Sequence, residues 1–483
     1  MNLVESTPTL LDFAHEDTFL KTTVNARMQA MVEVLQYWLT DMETSLDTVL
    51  DKMTIDAILV KIDQYLSQAL DKILHHPDYQ ALESLWRGLS YLVKNTDYQS
   101  NCELDILDVT QAELVDDFLD SASPANSFLY QHVYQKEYDT PGGKPYSVMI
   151  SPFQFSARAE DITLLGNLSK VSAAAHCPFL GNISPGFFGK QTLEEVLSIP
   201  DLSLFMQKAE YIPWNALRET EDARYLGMLF SRFLLRQPYG EQNTTKKFHY
   251  TESALQHEDF LWGSSTFAFA ANMADSFKQY GWSVQIRGPQ SGGMIYDLPL
   301  HHFNQSGVLE TQIPTEAIIS ETEELQLSDL GFIPLSYYKD SSQACFFSAN
   351  SLQKPKRYRD EDATANSLVN ARLPYIFLAS RLGHYIKVIQ RENIGAAKDH
   401  VMLERELNHW LQNLITKMVD PSPTLMAKRP LREGEVKVTP LADNPGFYKV
   451  DLIAIPHFQV EGLDVRLTLV SKMPKGDSSS SRS

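Results

Sequence analysis

The tail of the chain alternates. In LDVRLTLV (463–470), Leu463, Val465, Leu467 and Leu469 share one face, while Asp464, Arg466 and Thr468 share the other. A two-residue period of this kind marks a strand buried on one side only. FYKVDLIAI (447–455) is a second such run, and the connection PHFQVEG joins the two as a hairpin. It brings Phe447, Tyr448, Val450, Leu452 and Ile453 into the ribbon. A lone hairpin is marginal in water, and its outer edges carry unpaired N–H and C=O groups. The ribbon must therefore be completed, either by other segments of the same chain or by backbone from another molecule.

The opposite end carries a second demand for a partner. Residues 19–50 contain no Gly or Pro, and Met28, Val32, Leu35, Leu39, Met42, Leu46 and Val49 recur in steps of four and three. This is a heptad seam, which calls for a facing helix in its own domain or on another chain. Thr54 is positioned to cap a second helix, TIDAILVKIDQYLSQALDKIL, with Asp56 in its first turn. A third helix, 78–94, carries Leu82, Leu85, Trp86, Leu89 and Val93 on one stripe. Residues 1–95 are expected to form an all-helical region.

The middle is mixed α/β (α+β). Segments 102–110 and 144–155 read as strands, with a helix at 111–123 between them; 159–176 reads as a helix and CPFLGNISP as a strand and turn. Helices are expected at 192–197, 201–207, 213–219 and 255–280, with a polar loop at 240–253. Strand, glycine turn and strand are expected at 282–303, and two strands around a polar turn at 331–352. Two helices follow. The first, 362–392, is expected to kink at Pro374. The second, 397–419, sets Leu403, Leu407, Trp410, Leu411, Leu414, Ile415 and Met418 opposite Glu404, Arg405, Asn408, Gln412 and Lys417. The expected division is 1–95, a central 96–330, a C-terminal 331–474 bearing the hairpin, and a disordered tail 475–483, whose PKGDSSSSRS composition is low in complexity.

Charge and cysteine content narrow the function. A net charge of -19 disfavours nucleic acid and polybasic membrane contacts alike. Three dispersed cysteines, Cys102, Cys177 and Cys345, indicate no disulfide framework and point to a reducing compartment. The first residues lack the basic start of a signal peptide, and no run is long and apolar enough to span a bilayer. A cytoplasmic protein is expected.

Catalytic motifs are sparse. Gly288, Gly292 and Gly293 form no phosphate-loop pattern and read as a tight turn. His75–His76 and His301–His302 are adjacent pairs, which rarely supply two ligands to one metal. Glu219, Glu221 and Asp222 sit beside Arg218 and Arg224 and read as a salt-bridged helix end. No catalytic residue, cofactor or metal site is assigned. The rival reading is a cytoplasmic enzyme with a site near residues 287–302.

Several stretches, in collinear order, resemble one family: ILHHPDYQALESLWRGLSYLV (73–93), LLGNLSKVSAAAHCPFLGNISPGFFG (164–189), WNALRETEDARYLGMLFSRFLLRQPYG (214–240), FFSANSLQKPKRY (346–358), ATANSLVNARLPYIFLASRLGHYIK (363–387) and NPGFYKVDLIAIPHFQ (444–459). The chain resembles the large subunit of the type VI secretion contractile sheath, the TssC/VipB family. The resemblance implies a structural protein of the bacterial cytoplasm with neither cofactor nor catalytic residue. The implied partners are a small sheath subunit (TssB/VipA-like), further copies of the chain in a helical sheath, an Hcp-like inner tube, a baseplate, and a AAA+ unfoldase that grips mainly the small subunit. By analogy the ribbon residues named above would link subunits, and the N-terminal seam would pair with the small subunit. Glu404, Arg405, Asn408 and Gln412 are candidates for the surface facing the tube.

Overall fold

The computed structural model describes residues 52–240, 248, 250–305, 308–339, 341–393, 399–418, 421–440, 448–457 and 467–471. The heptad seam from Met28 to Val49 lies outside the described residues. The chain forms two compact units, one from Met1–His75 with Pro238–Leu255 and one from His76–Gln237 with Gln256–Ser483. In the first, helix α1 (Lys52–Leu74) begins ahead of Thr54, which therefore lies inside the helix rather than capping it. Glu252, buried in this unit, anchors the segment after the polar loop: His75 Nε2 lies 3.1 Å from its carboxylate, and the Tyr239 amide donates to it at 2.8 Å.

The second unit opens with α2 (Pro77–Asn95), whose N-cap is His76. Its apolar stripe is not its buried face. Leu82, Leu85, Trp86 and Val93 are exposed, while Gly88 and Leu92 are buried. Gly88 is the reason. A Cβ there would lie 2.4 Å from the Phe267 ring, so only glycine lets the helix approach that closely.

Four strands form a parallel sheet in sequential order: β1 (Met149–Phe155), β2 (Phe179–Ile183), β3 (Leu226–Phe230) and β4 (Phe332–Pro334). Helix α3 (Ala159–Ala175) connects the first two. Both faces of the sheet are covered, so β2, β3 and β4 are buried throughout rather than alternating, with Asn182 as their one polar side chain. On one face Leu164, Leu165, Leu168 and Val171 of α3 pack with Phe155, Phe179, Met228 and Phe332. The other face holds Leu180, Leu229 and Ile333 with Ala268 and Phe269 of α4 (Ser265–Tyr280) and Leu373 and Phe377 of α5 (Leu373–Glu392).

Several elements differ from the sequence expectation. Residues 102–110 form no strand with any of the described residues, and end at Thr110, which closes a capping box with Glu113 on helix Gln111–Asp120. The helix expected at 255–280 starts only at Ser265, because Trp262–Ser264 is taken into a two-stranded sheet. From 282–303, Met294–Ile295 pairs with Gln343–Cys345, and His301–Gln305 forms a hairpin with Val308–Gln312. Pro374 does not kink one long helix. The chain breaks between Asn370 and Leu373, and Pro374 sits in the first turn of α5, where its missing N–H costs nothing.

A last layer carries α6 (His400–Gln412) and a three-stranded antiparallel sheet, β5 (Leu431–Pro440), β6 (Tyr448–Pro456) and β7 (Leu467–Ser471), with β6 in the centre.

Two buried polar devices join these layers. Arg218 is not part of a salt-bridged helix end. It is buried, and its guanidinium donates to the Leu352 carbonyl at 3.1 Å and the Asp329 carbonyl at 3.0 Å, while burial lowers its pKa to about 10. His384 of α5 places Nε2 2.9 Å from the Ala175 carbonyl, and His176, in a left-handed cap at φ 50°, places Nδ1 3.0 Å from Tyr225 Oη. Burial holds His176 at about 4 and His384 at about 3. Arg218→Leu removes both donors and is expected to cost about 1–3 kcal/mol in urea unfolding. Both histidines are neutral when folded, so their contribution is complete above the unfolded value of 6.5 and is lost as pH falls toward 4 and 3. Unfolding midpoints measured at pH 7 and pH 5 should fall by the equivalent of about 1–2 kcal/mol per histidine, and His384→Gln should shrink that fall.

Candidate assembly interface

The tail sheet is built on α6. Asp399 starts this helix by accepting from the Met402 amide at 2.8 Å. Leu403, Leu407 and Leu411 recur every four residues and are buried together with Val436 and Val438 of β5 and Val450, Leu452 and Ala454 of β6. Glu404 and Asn408 stand one position further on, so they flank this stripe instead of opposing it. That puts them beside the outer edge of β5. The Asn408 side chain donates to the Val436 carbonyl at 2.7 Å and accepts from the Val436 amide at 2.9 Å, and Glu404 accepts from the Val438 amide at 2.9 Å. Arg405 and Gln412 are exposed.

This pattern fixes the direction of every backbone group across the sheet. Val436 turns its N–H and C=O outward, so its partner Leu452 turns its own toward β7. Leu469, opposite Leu452, therefore bonds to β6, and Thr468 and Val470 present their amides to the far side. In the sheet order β7 lies at the end, and among the described residues no strand adjoins it.

Tyr448, Val450, Leu452 and Ile453 lie on β6, and Leu467 and Leu469 on β7. Phe447, Leu463 and Val465 lie outside the described residues. Within the tail sheet, the strand missed by sequence reasoning is β5. Its signal is the short alternation Val436–Lys437–Val438, hidden between Glu433, Gly434, Glu435 and Pro440, all residue types that strands avoid. Gly434 has a packing reason: a Cβ there would lie 2.8 Å from Leu411 Cδ2.

The rival site near 287–302 is a closed turn. The Gly288 amide donates to the Phe346 carbonyl at 2.7 Å, and the Gly293 amide to the Gly288 carbonyl at 3.0 Å, so neither is offered to a phosphate. Gly292 has φ 78°, and a Cβ on it would lie 2.1 Å from the Gln285 carbonyl oxygen. His302 pairs with Thr311 Oγ1 at 2.8 Å. A polar cavity of 280 Å³ lies instead at the carboxyl ends of β1–β3, where Arg232 is held by Glu316 through a 2.7 Å bond. Among the described residues no three His, Cys, Asp or Glu side chains converge as metal ligands, and no helix is long and apolar enough to cross a membrane.

Two family models match: the EvpB/VC_A0108 tail sheath N-terminal domain over residues 56–353, and the EvpB/VC_A0108 tail sheath gpW/gp25-like domain over 362–473. They place the chain among tail sheath proteins, with the tail sheet inside the second domain. The chain is 38% identical over 432 residues to the type VI secretion system sheath protein TssC1 of Pseudomonas aeruginosa, covering 87% of this chain and 86% of that protein. It belongs to the TssC/VipB family of type VI secretion sheath proteins, and is thus a structural subunit of a contractile sheath. Among solved structures it is similar to a chain of the anti-feeding prophage baseplate, at 10% identity and a TM-score of 0.35, covering 79% of this chain and 82% of that one. A chain of the contracted anti-feeding prophage helical sheath gives 9% identity and a TM-score of 0.29, covering 67% and 66%.

Proposed function

We propose that this chain is the large sheath subunit that works with a smaller sheath protein. The pairs stack in the bacterial cytoplasm as a sleeve around an inner tube, anchored to a baseplate, and shorten to drive the tube outward. The observation that carries the reading is the outer edge of β7, which no other strand among the described residues adjoins, with the outward amides of Thr468 and Val470. An extended segment of a neighbouring subunit adds there as a further strand. Main-chain bonds of this kind tolerate rigid rotation of the subunits they join, so the sleeve changes length without coming apart. Energy for shortening resides in the difference between two lattice arrangements rather than in turnover of a substrate.

The N-terminal seam from Met28 to Val49 supplies a second contact with the smaller subunit, helix against helix. Arg405 and Gln412 are the exposed members of the polar set on α6 and are assigned here to weak contacts with the inner tube. Dismantling of the shortened sleeve falls to a AAA+ unfoldase acting mainly on the small subunit.

The test is Val470→Pro in the chain co-expressed with its small partner. Proline at this position removes an outward amide and leaves the bonds between β6 and β7 in place. The expected result is a soluble, folded chain that forms no long tubes by negative-stain microscopy. Tubes of normal length and number from this variant contradict the reading.

A further inference from the structure

The two edges of the tail sheet are treated differently, and the difference is built from this chain's own residues. Along the outer edge of β5, the Leu431 amide donates to the Leu414 carbonyl at 3.2 Å, and the Thr416 amide donates to the Leu431 carbonyl at 3.0 Å. Asn408 takes both backbone groups of Val436, and Glu404 takes the Val438 amide. Pro440, at the end of the strand, has no amide to offer. The Asn408 side chain does what one residue of a neighbouring strand would do, with one donor and one acceptor spent on a single residue. The far edge of β7 has no such cover among the described strands.

We infer that Asn408 and Glu404 form a side-chain lock that closes the β5 edge and so determines which edge of the sheet a foreign strand can join. An open strand edge pairs with any extended backbone that reaches it. A sheet with two open edges would accept the same partner segment on either side, and in a repeating lattice wrong-side additions propagate as a second, competing assembly. Closing one edge with side chains removes that alternative while keeping β5 in the sheet, where its valines are needed in the core. Asn408 and Glu404 are thus positioning residues for strand addition, acting by exclusion. The partner class excluded at β5 and admitted at β7 is an extended polypeptide segment. The inference rests on the strand-addition reading of β7 and adds the means by which the side is chosen.

The experiment uses the full chain without its partner and compares it with Asn408→Leu/Glu404→Ala, with the milder Asn408→Asp, and with Glu404→Gln, which retains the acceptor. Retained far-ultraviolet and tryptophan signals establish folding. Hydrogen exchange in 431–440 should accelerate about tenfold or more in the double variant and less in Asn408→Asp, and stay unchanged in Glu404→Gln. Sedimentation velocity should then show a new self-associated species in the double variant. Adding Val438→Pro, which removes an outward β5 amide, should abolish that species, and adding Val470→Pro should leave it. The inference is overturned if faster exchange brings no new association, or if Val470→Pro removes the association while Val438→Pro does not. Should the double variant fail to fold, the same sedimentation comparison on Asn408→Asp, with and without Val438→Pro, decides between these outcomes. A failure of the β7 reading itself appears elsewhere, as normal tubes from Val470→Pro with the small partner, and is read separately.

Discussion

Backbone at the edge of a β-sheet must bond to something, and in this chain the tail sheet answers that demand asymmetrically. On the β5 side, two side chains of α6 and the backbone around Ile415 meet the strand. On the β7 side, register alone sets the outward amides of Thr468 and Val470. The central strand β6 is bonded on both flanks, and its Val450, Leu452 and Ala454 are buried against α5 and α6. The sheet is therefore anchored to the body of the second unit through its core face, and polar toward the other side, where Lys449 and Asp451 pair at 2.9 Å. A ribbon held in this way can carry load through main-chain bonds without being drawn out of its own domain.

The parallel sheet supplies the rigid body behind that ribbon. With both faces covered, its strands are fixed by packing on two sides, and substitutions such as a side chain at Gly227 meet Leu180 and Leu373 at under 3 Å. Helix α5 is shared: Leu373 and Phe377 lie in the sheet's core, while Leu378, Leu382 and Ile386 lie in the core beneath the tail sheet. One helix thus couples the two layers, and the buried His384–Ala175 contact fixes its height against α3. The layer that gives the second unit its core and the layer that carries the tail sheet are thereby continuous.

Much of this was legible in the residues. The alternation of β6 and β7 and the apolar stripe of α6 follow from their periods, and the stretches that carry the family resemblance lie in collinear order between residues 73 and 459. What stayed hidden has physical causes. LGMLF in β3 is buried on both sides and shows no period, so it cannot be told from a short helical run. β5 carries two glutamates and a glycine because its outer face is solvated and Leu411 needs the space over Gly434. With β5 unseen, Glu404 and Asn408 read as part of an outward polar face and count as candidates for the tube-facing surface, since a polar i,i+4 pair looks the same whether it faces outward or meets a strand edge. The stripe on α2 misled in the opposite sense: its large apolar residues stay exposed, and a glycine marks the buried side.

The central claim is that foreign backbone completes the tail sheet beside β7 and nowhere else. Residue-resolved amide exchange, comparing the free chain with assembled tubes, tests it directly. The account predicts that Val436 and Val438 are already protected in the free chain and change little, while Thr468 and Val470 exchange freely until assembly and then become protected. Protection gained on assembly at Val436 and Val438, with Thr468 and Val470 unaltered, would contradict it.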